Sequence, residues 1–366
     1  MTISTNYLYL LLSFATSMTL GLFLIPAIVS FCKKKRLYDI PNDRKVHKSI
    51  VPRLGGICFM PCMIISSMLA VALFNREPMF TKISISAWAL YFFIGLLLIY
   101  ATGIVDDLMD LSPRIKFLVQ FFAASILPLS GLYINNIYGL FGIFSIPFYV
   151  GAPLTVVVIV FIVNAMNLID GIDGLASGLS LIALCGFLYV FIQLRMWSYT
   201  ILIAGLAGVI TAFIRYNIFG KAGIDKTFMG DAGSLTIGFI LATLFVRCSM
   251  NKPEDTIISE NRMLFAGTLL IVPVFDVFRV MINRYIHRRN IFSADSNHIH
   301  HKMLRAGFTQ WQALFIILGI ASLFIVINCN AGFSFTTTVG LDIIIWGIIQ
   351  FLINITIKKN DNKVFR

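Results

Sequence analysis

Apolar stretches of about 20 residues recur from one end of this chain to the other, and that repetition limits its fold more than any other feature. A run of that length crosses the hydrocarbon layer of a membrane as a helix, and inside lipid the backbone must satisfy its own polar groups. Eleven runs stand out, at about 7–31, 54–74, 87–105, 116–134, 150–167, 177–195, 198–216, 231–248, 264–283, 312–332 and 338–357. The stretch 132–150 is interrupted by Asn, Gly and Pro and reads as a surface hairpin. Composition agrees: 13% of the residues are charged, where a soluble globular chain carries about a quarter. The expectation is an all-α, polytopic integral membrane protein with about 11 (10–11) transmembrane helices, residues 1–366 forming a single transmembrane domain.

Orientation follows from Lys and Arg, which concentrate on the cytoplasmic side of short loops. With the segment KKKRLYDIPNDRKVHK taken as cytoplasmic and sides alternated at each span, 23 of the 29 Lys and Arg fall at cytoplasmic segments and span ends, leaving 6 outside. This predicts an N-terminus outside and a C-terminus in the cytoplasm. The first run lacks a basic leader and a small-residue cleavage site, so it reads as an anchor rather than a signal peptide. The net charge of +12 is a topology signal first. It also suits anionic lipid and phosphorylated substrates, and no nucleic-acid motif accompanies it. The six cysteines have no metal-ligand spacing and read as small apolar residues.

The polar residues are not scattered. The run from Leu154 ends in NAMNLIDGIDGLASG, so Asn164, Asn167, Asp170 and Asp173 follow one another at intervals of three on a single helix face. A charge near the membrane centre costs about 2.5–3.5 kcal/mol on insertion scales, so such groups mark water, a metal or a ligand. The third run ends in GIVDDLMDLSPRIK, with Asp106, Asp107, Asp110, Arg114 and Lys116. YNIFGKAGIDKTFMGDAGS precedes the eighth, with Asn217, Lys221, Phe228 and Asp231. RYIHRRNIFSADSNHIHHKML follows the ninth, with Arg288, Arg289, Asp295, His298, His300 and His301. The first inner loop adds Arg44, Lys45, His47 and Lys48. The alternation brings all of these to one membrane face.

Carboxylates and amide oxygens beside Lys, Arg and His suit a hard divalent cation that shares its coordination with substrate phosphates. The same set suits phosphoryl transfer, where cations neutralise the oxygens of the transition state. A zinc site lacks completing cysteines or acids around HIHH. A secondary transporter would carry its carboxylates near the bilayer midplane, and an isoprenoid prenyltransferase would account for DDLMD but not for FMGD or HIHH.

The motifs DIPNDRKVHKSIVPRLGG, VDDLMDLSPRIK, NAMNLIDGIDGLASG, FMGDAGS and SADSNHIHHKM, in this order, resemble those of the polyprenyl-phosphate N-acetylhexosamine-1-phosphate transferases, over about residues 10–332. The bacterial undecaprenyl-phosphate members are the most similar. The resemblance implies transfer of N-acetylglucosamine 1-phosphate from UDP-GlcNAc to undecaprenyl phosphate, giving GlcNAc-diphospho-undecaprenol and UMP, with Mg²⁺ or Mn²⁺. It implies a place in the bacterial inner (cytoplasmic) membrane, at the first membrane step of O antigen, common antigen, capsule or teichoic acid. Another UDP-N-acetyl sugar, GalNAc or a deoxy-amino sugar, stays open as donor, and so does a homodimer. Carried over by position, Asp106 and Asp107 engage or deprotonate the lipid phosphate and Asp170 is a third essential acid. Asn167 and Asp231 help hold the metal and diphosphate, while Asp173 and Phe228 lie beside uracil. His300 and His301 serve catalysis, with His298 in the same loop over the sugar nucleotide. Arg114 and Lys116 are the basic residues after the acidic pair, and Lys48, Asn164, Leu168 and Asn217 complete the expected substrate-binding set. One departure weakens the sugar assignment: relatives show Pro-Asp-Arg where this chain has Ala294, Asp295 and Ser296.

Overall fold

The computed structural model describes residues 2–39, 51–77, 82–83, 87–252, 262–290, 297–330 and 332–364. Helices form along the Leu-, Ile-, Val- and Phe-rich runs and stop at Pro, Gly or clustered polar residues. Among the described residues they are α1 (Thr2–Lys35), α2 (Phe59–Phe74), α3 (Ala87–Met109), α4 (Pro113–Leu129), α5 (Phe148–Ile169), α6 (Leu175–Gln193), α7 (Trp197–Asn217), α8 (Gly230–Ser249), α9 (Arg262–Leu269), α10 (Ile271–Ile286), α11 (Ile299–Arg305), α12 (Gln310–Asn330) and α13 (Phe335–Val364). Nine of these are long and apolar enough to cross a membrane. Two departures from the run-by-run reading have simple causes. The run 116–134 yields α4, which has only 17 residues because Pro113 opens it and the Ser130-Gly131 turn closes it. The run 264–283 is no straight span: α9 and α10 meet at Leu270 with a bend of 71°. Pro273 has no N–H to bond the carbonyl of Leu269, and its ring clashes there, so α9 ends at Leu269.

The expected hairpin is present. Strands β3 (Asn136–Leu140) and β4 (Ile143–Ser145) pair antiparallel, turned by Phe141 and Gly142 at φ +52° and +78°. A second ribbon pairs β1 (Tyr38–Asp39) with β2 (Val51–Pro52). The cysteines are unbridged among the described residues. Four are buried as expected, while Cys185 and Cys329 lie exposed on the outside of the bundle.

Helix α8 is the centre. Every residue from Ala232 to Leu244 is buried, with α3, α5 and α2 packed around it. Small residues permit this: a Cβ on Gly103 of α3 would stand 2.5 Å from the Cα of Ala232, and one on Gly238 would stand 2.8 Å from the Cα of Val163 in α5. Close backbone approach of this kind is what holds helices together where lipid removes the hydrophobic drive. It also brings the C-terminal ends of α3, α5 and α7 together with the N-terminal ends of α4, α6 and α8, so the polar motifs meet at one end of the bundle.

Candidate active site

The N-terminus of α8 has no side-chain cap of its own, its N-cap being Met229. Asp107 supplies one from α3: its Oδ1 accepts the N–H of Asp231 at 2.9 Å and its Oδ2 that of Ala232 at 3.0 Å. Gly230 makes room, since it sits at φ +70° and a Cβ there would lie 2.5 Å from Asp107 Oδ2. Arg53 closes the other side. Its Nε donates to the Asp107 carbonyl at 2.5 Å, Nη2 to the Asp106 carbonyl at 3.4 Å and Nη1 to Asp110 Oδ1 at 3.1 Å. Both oxygens of Asp107 are thus committed to backbone, and its contribution is to aim α8.

Asp106 and Asp231 face one cation. Lys116 Nζ lies 3.1 Å from Asp106 Oδ2 and 3.1 Å from Asp231 Oδ2. Asp106 Oδ1 also accepts the N–H of Leu111 at 2.8 Å, ending α3. Asn167 approaches from α5, donating to Asp231 Oδ1 at 3.1 Å and to Ser234 Oγ at 2.9 Å. Asp170, the C-cap residue of α5, has its carboxyl pushed up to about 8 by burial, with the charges of Asp173, Asp231 and Asp107 adding to the shift.

A second cluster lies alongside. Asp173 Oδ2 pairs with Lys226 Nζ at 2.6 Å. Asn217 accepts the N–H of Gly174 at 2.7 Å and donates to the Thr227 carbonyl at 3.0 Å, tying the end of α7 to the approach of α8. Phe228 follows directly, its N–H bonded to the Pro52 carbonyl at 2.8 Å and its carbonyl accepting the N–H of Gly55 at 3.0 Å.

The histidines close the third side. His300 is 1% exposed, and a Cβ on Gly171 would overlap its Nε2, so α11 sits directly on the loop after α5. Burial, with His301 beside it, pulls the His300 imidazole down to about 3; it is neutral at any ordinary pH. The two rings lie 4.2 Å apart. Lys302 reaches Gln350 of α13 at 2.8 Å, and burial lowers its ammonium to about 8.

The structure therefore brings together Asp106, Asp107, Lys116, Asn167, Asp170 and Asp231, sets Asp173, Asn217 and Phe228 beside them, and docks the histidine segment on top. Three expected residues stand apart. Asn164 lies a turn deeper and donates to Gln120 Oε1 at 2.5 Å and to its own helix. Leu168 is 39% exposed on the outer face of α5, because three-residue spacing turns it away from the acids. Arg114 is exposed, with no ion pair among the described residues, since Lys116 takes the inward position. Arg44, Lys45, His47, Lys48 and Asp295 lie outside the described residues. The motif reading passed over Arg53, Lys226, Ser234, Asp276 and Arg279. Of these, Arg53, Lys226 and Ser234 lie inside the quoted motif segments, while Asp276 and Arg279 are charged residues inside an apolar run.

A hard divalent cation fits the donors present. Lys116 already places one positive charge between two carboxylates, with an amide side chain adjoining. Among the described residues no three of His, Cys, Asp or Glu are grouped to hold a metal ion by themselves, so an ion here would have to draw its remaining ligands from phosphate and water.

Residues 89–249 match glycosyl transferase family 4. Over 323 residues the chain is 30% identical to a probable undecaprenyl-phosphate N-acetylglucosaminyl 1-phosphate transferase of Bacillus subtilis, covering 86% of this chain and 83% of that one. It is 30% identical to the undecaprenyl-phosphate alpha-N-acetylglucosaminyl 1-phosphate transferases of Salmonella typhi, over 94% of this chain and 91% of the relative, and of Escherichia coli K12, over 98% and 92%. With its apolar helices and this extent of likeness, the chain belongs to glycosyl transferase family 4 as an integral membrane transferase.

Proposed function

We propose that the protein transfers N-acetylglucosamine 1-phosphate from UDP-GlcNAc to undecaprenyl phosphate, releasing UMP, as the first membrane step of a cell-envelope polysaccharide. The observation that carries the reading is the Asp106–Lys116–Asp231 arrangement at the rim of a membrane bundle, where a lipid phosphate and a soluble nucleotide can meet. An oxygen of the lipid phosphate bonds to the β-phosphorus of the sugar nucleotide, and the bond from that phosphorus to the bridging oxygen breaks, so UMP leaves with the electron pair. A phosphate monoester is largely dianionic near neutral pH, its second pKa being about 6; it needs placement more than a strong base. Lys116 neutralises the incoming phosphate, Asp106 faces the same point, and Asp107 fixes the α8 N-terminus. Asp173 and Phe228 line the nucleotide side, while the neutral His300 and its neighbours close over the sugar. Purified protein given UDP-GlcNAc, undecaprenyl phosphate and Mg²⁺ should release UMP; no UMP from folded protein rejects the reading.

Mg²⁺ or Mn²⁺ would be held by Asp231 and Asp106 with Asn167, and when bound it supplies charge neutralisation of the diphosphate. Asp170 gives a test that does not depend on turnover. Without the cation its carboxyl keeps a proton up to about pH 8, whereas in the unfolded chain it titrates near about 3.9. Its stabilising contribution is therefore complete below about pH 4 and lost as pH rises through about 8. A nearby divalent cation favours the ionised form and counters that loss. At fixed Mg²⁺, the rise in Tm should be larger near about pH 8.5 than near about pH 6, because binding at the lower pH must displace a proton. Equal rises at both would contradict the assignment.

The site faces the cytoplasm in this reading, the basic residues being its support. Cysteines placed at Asn290 and Asn330, in a cysteine-free background, should label from opposite sides with an impermeant thiol reagent. Labelling of both from outside intact cells would reverse it.

A further inference from the structure

We propose that Asp276 is a positioning residue that sets which nitrogen of His298 faces the substrate, a role that rests on the transferase reading above. Asp276 lies in α10, six residues past the break at Leu270, and is fully buried. A buried carboxylate is costly unless its oxygens are satisfied, and here three donors converge on it. His298 Nδ1 lies 2.8 Å from Oδ2, while Oδ1 accepts the N–H of Ile299 at 3.0 Å and Arg279 Nη2 at 2.8 Å. Arg279 also donates to the Asn297 carbonyl, so the last step of chain before α11 is held at both residues that flank His298. The ring itself is 4% exposed and stands parallel to that of His300, with centroids 6.0 Å apart.

Because Asp276 can only accept, Nδ1 of His298 must carry a proton whatever the charge on the ring. Nε2 is the nitrogen left for a ligand, and it has no protein partner among the described residues. It meets the substrate either as a lone pair or as one end of an imidazolium, never as the N–H of a neutral ring. Which nitrogen of a histidine is protonated is set by the bond the other makes.

Asp276→Asn separates this role from a merely structural one. Ile299 N–H and Arg279 can only donate, so the amide oxygen of the variant keeps both bonds and the loop stays anchored. The amide nitrogen then takes the place of Oδ2 and can only donate to Nδ1, which moves the ring proton to Nε2. In Ser-His-Asp enzymes the same exchange keeps the geometry but lowers kcat about 10⁴-fold through the wrong tautomer. Here kcat/KM for the UDP-sugar should fall about a hundredfold or more in a protein that melts close to wild type, with ¹⁵N NMR of the five histidines showing one ring that changes tautomer. In a His298→Ala background the same change should cost nothing further.

Activity within about threefold of wild type after a demonstrated tautomer change would overturn the proposal. So would an unchanged tautomer, or an additional loss in the His298→Ala background. The NMR measurement needs no substrate, so a wild-type protein that releases no UMP would sink the transferase reading and leave the state of His298 still testable. If Asp276→Ala fails to fold, all three bonds having gone, the Asn variant alone decides.

Discussion

Asp231→Asn should lower turnover by at least about 10³-fold, more than the 10–100-fold typical of a residue one step removed from a metal, while expression and membrane insertion persist. The side chain is the meeting point of the site: Oδ2 pairs with Lys116 and Oδ1 accepts from Asn167. An amide offers one oxygen where two are used, so its NH₂ must face either an ammonium or another NH₂. The charge is lost as well. The backbone is untouched, because the N–H of residue 231 still meets Asp107 and the rest of α8 stays packed. UMP release at limiting Mg²⁺, measured beside a melting curve, checks this. Near-normal turnover would remove Asp231 from the site.

Gly171→Ala should cost about a hundredfold in turnover with little effect on insertion. The added methyl has no space, because His300 Nε2 occupies its position and the imidazole is buried in turn. Forcing extra volume into a packed core typically costs ~1–3 kcal/mol. The side able to yield is α11, a helix of seven residues. Moving the histidine segment by an ångström is enough, since misplacement of that size costs about 10²-fold. Gly178→Ala is the control: its Cβ would meet Leu318 Cδ2 at 3.0 Å, the free end of a flexible side chain, and most turnover should survive. Equal activity in the two variants would mean that His300 does not need its seat on the loop.

Hydropathy predicts helices well here because membrane helices announce themselves by length alone. It cannot predict the bend at Leu270, since Pro273 is apolar on any scale and its effect lies in a missing N–H. The acidic motifs were legible because Asp106, Asn167 and Asp231 sit at run ends, where polar residues have no packing reason to gather. Their division of labour was not. Asp106 and Asp107 are adjacent and identical in sequence, yet one faces Lys116 and the other caps α8, a difference set by a helix 124 residues away. Asp276 shows the same limit: its partner His298 is 22 residues distant, beyond the end of α10, a separation that no period reveals. Arg114 and Leu168 show the converse, since nearness to a motif says nothing about which way a helix turns a side chain.

The burial of α8 bears on how the protein is made. The chain enters the membrane from its N-terminal end, and the helix that the others surround comes after α1 to α7 among the described residues. Until residue 230 emerges, α3 and α5 present to lipid, or to each other, faces shaped for a neighbour that does not yet exist, and Asp107 lacks both of its N–H donors. The faces of α3 and α5 must therefore stay open enough to admit a helix with almost no lipid-facing side. The acidic cluster therefore takes its shape only once α8 is seated, because the residue that caps α8 is part of the acidic pair.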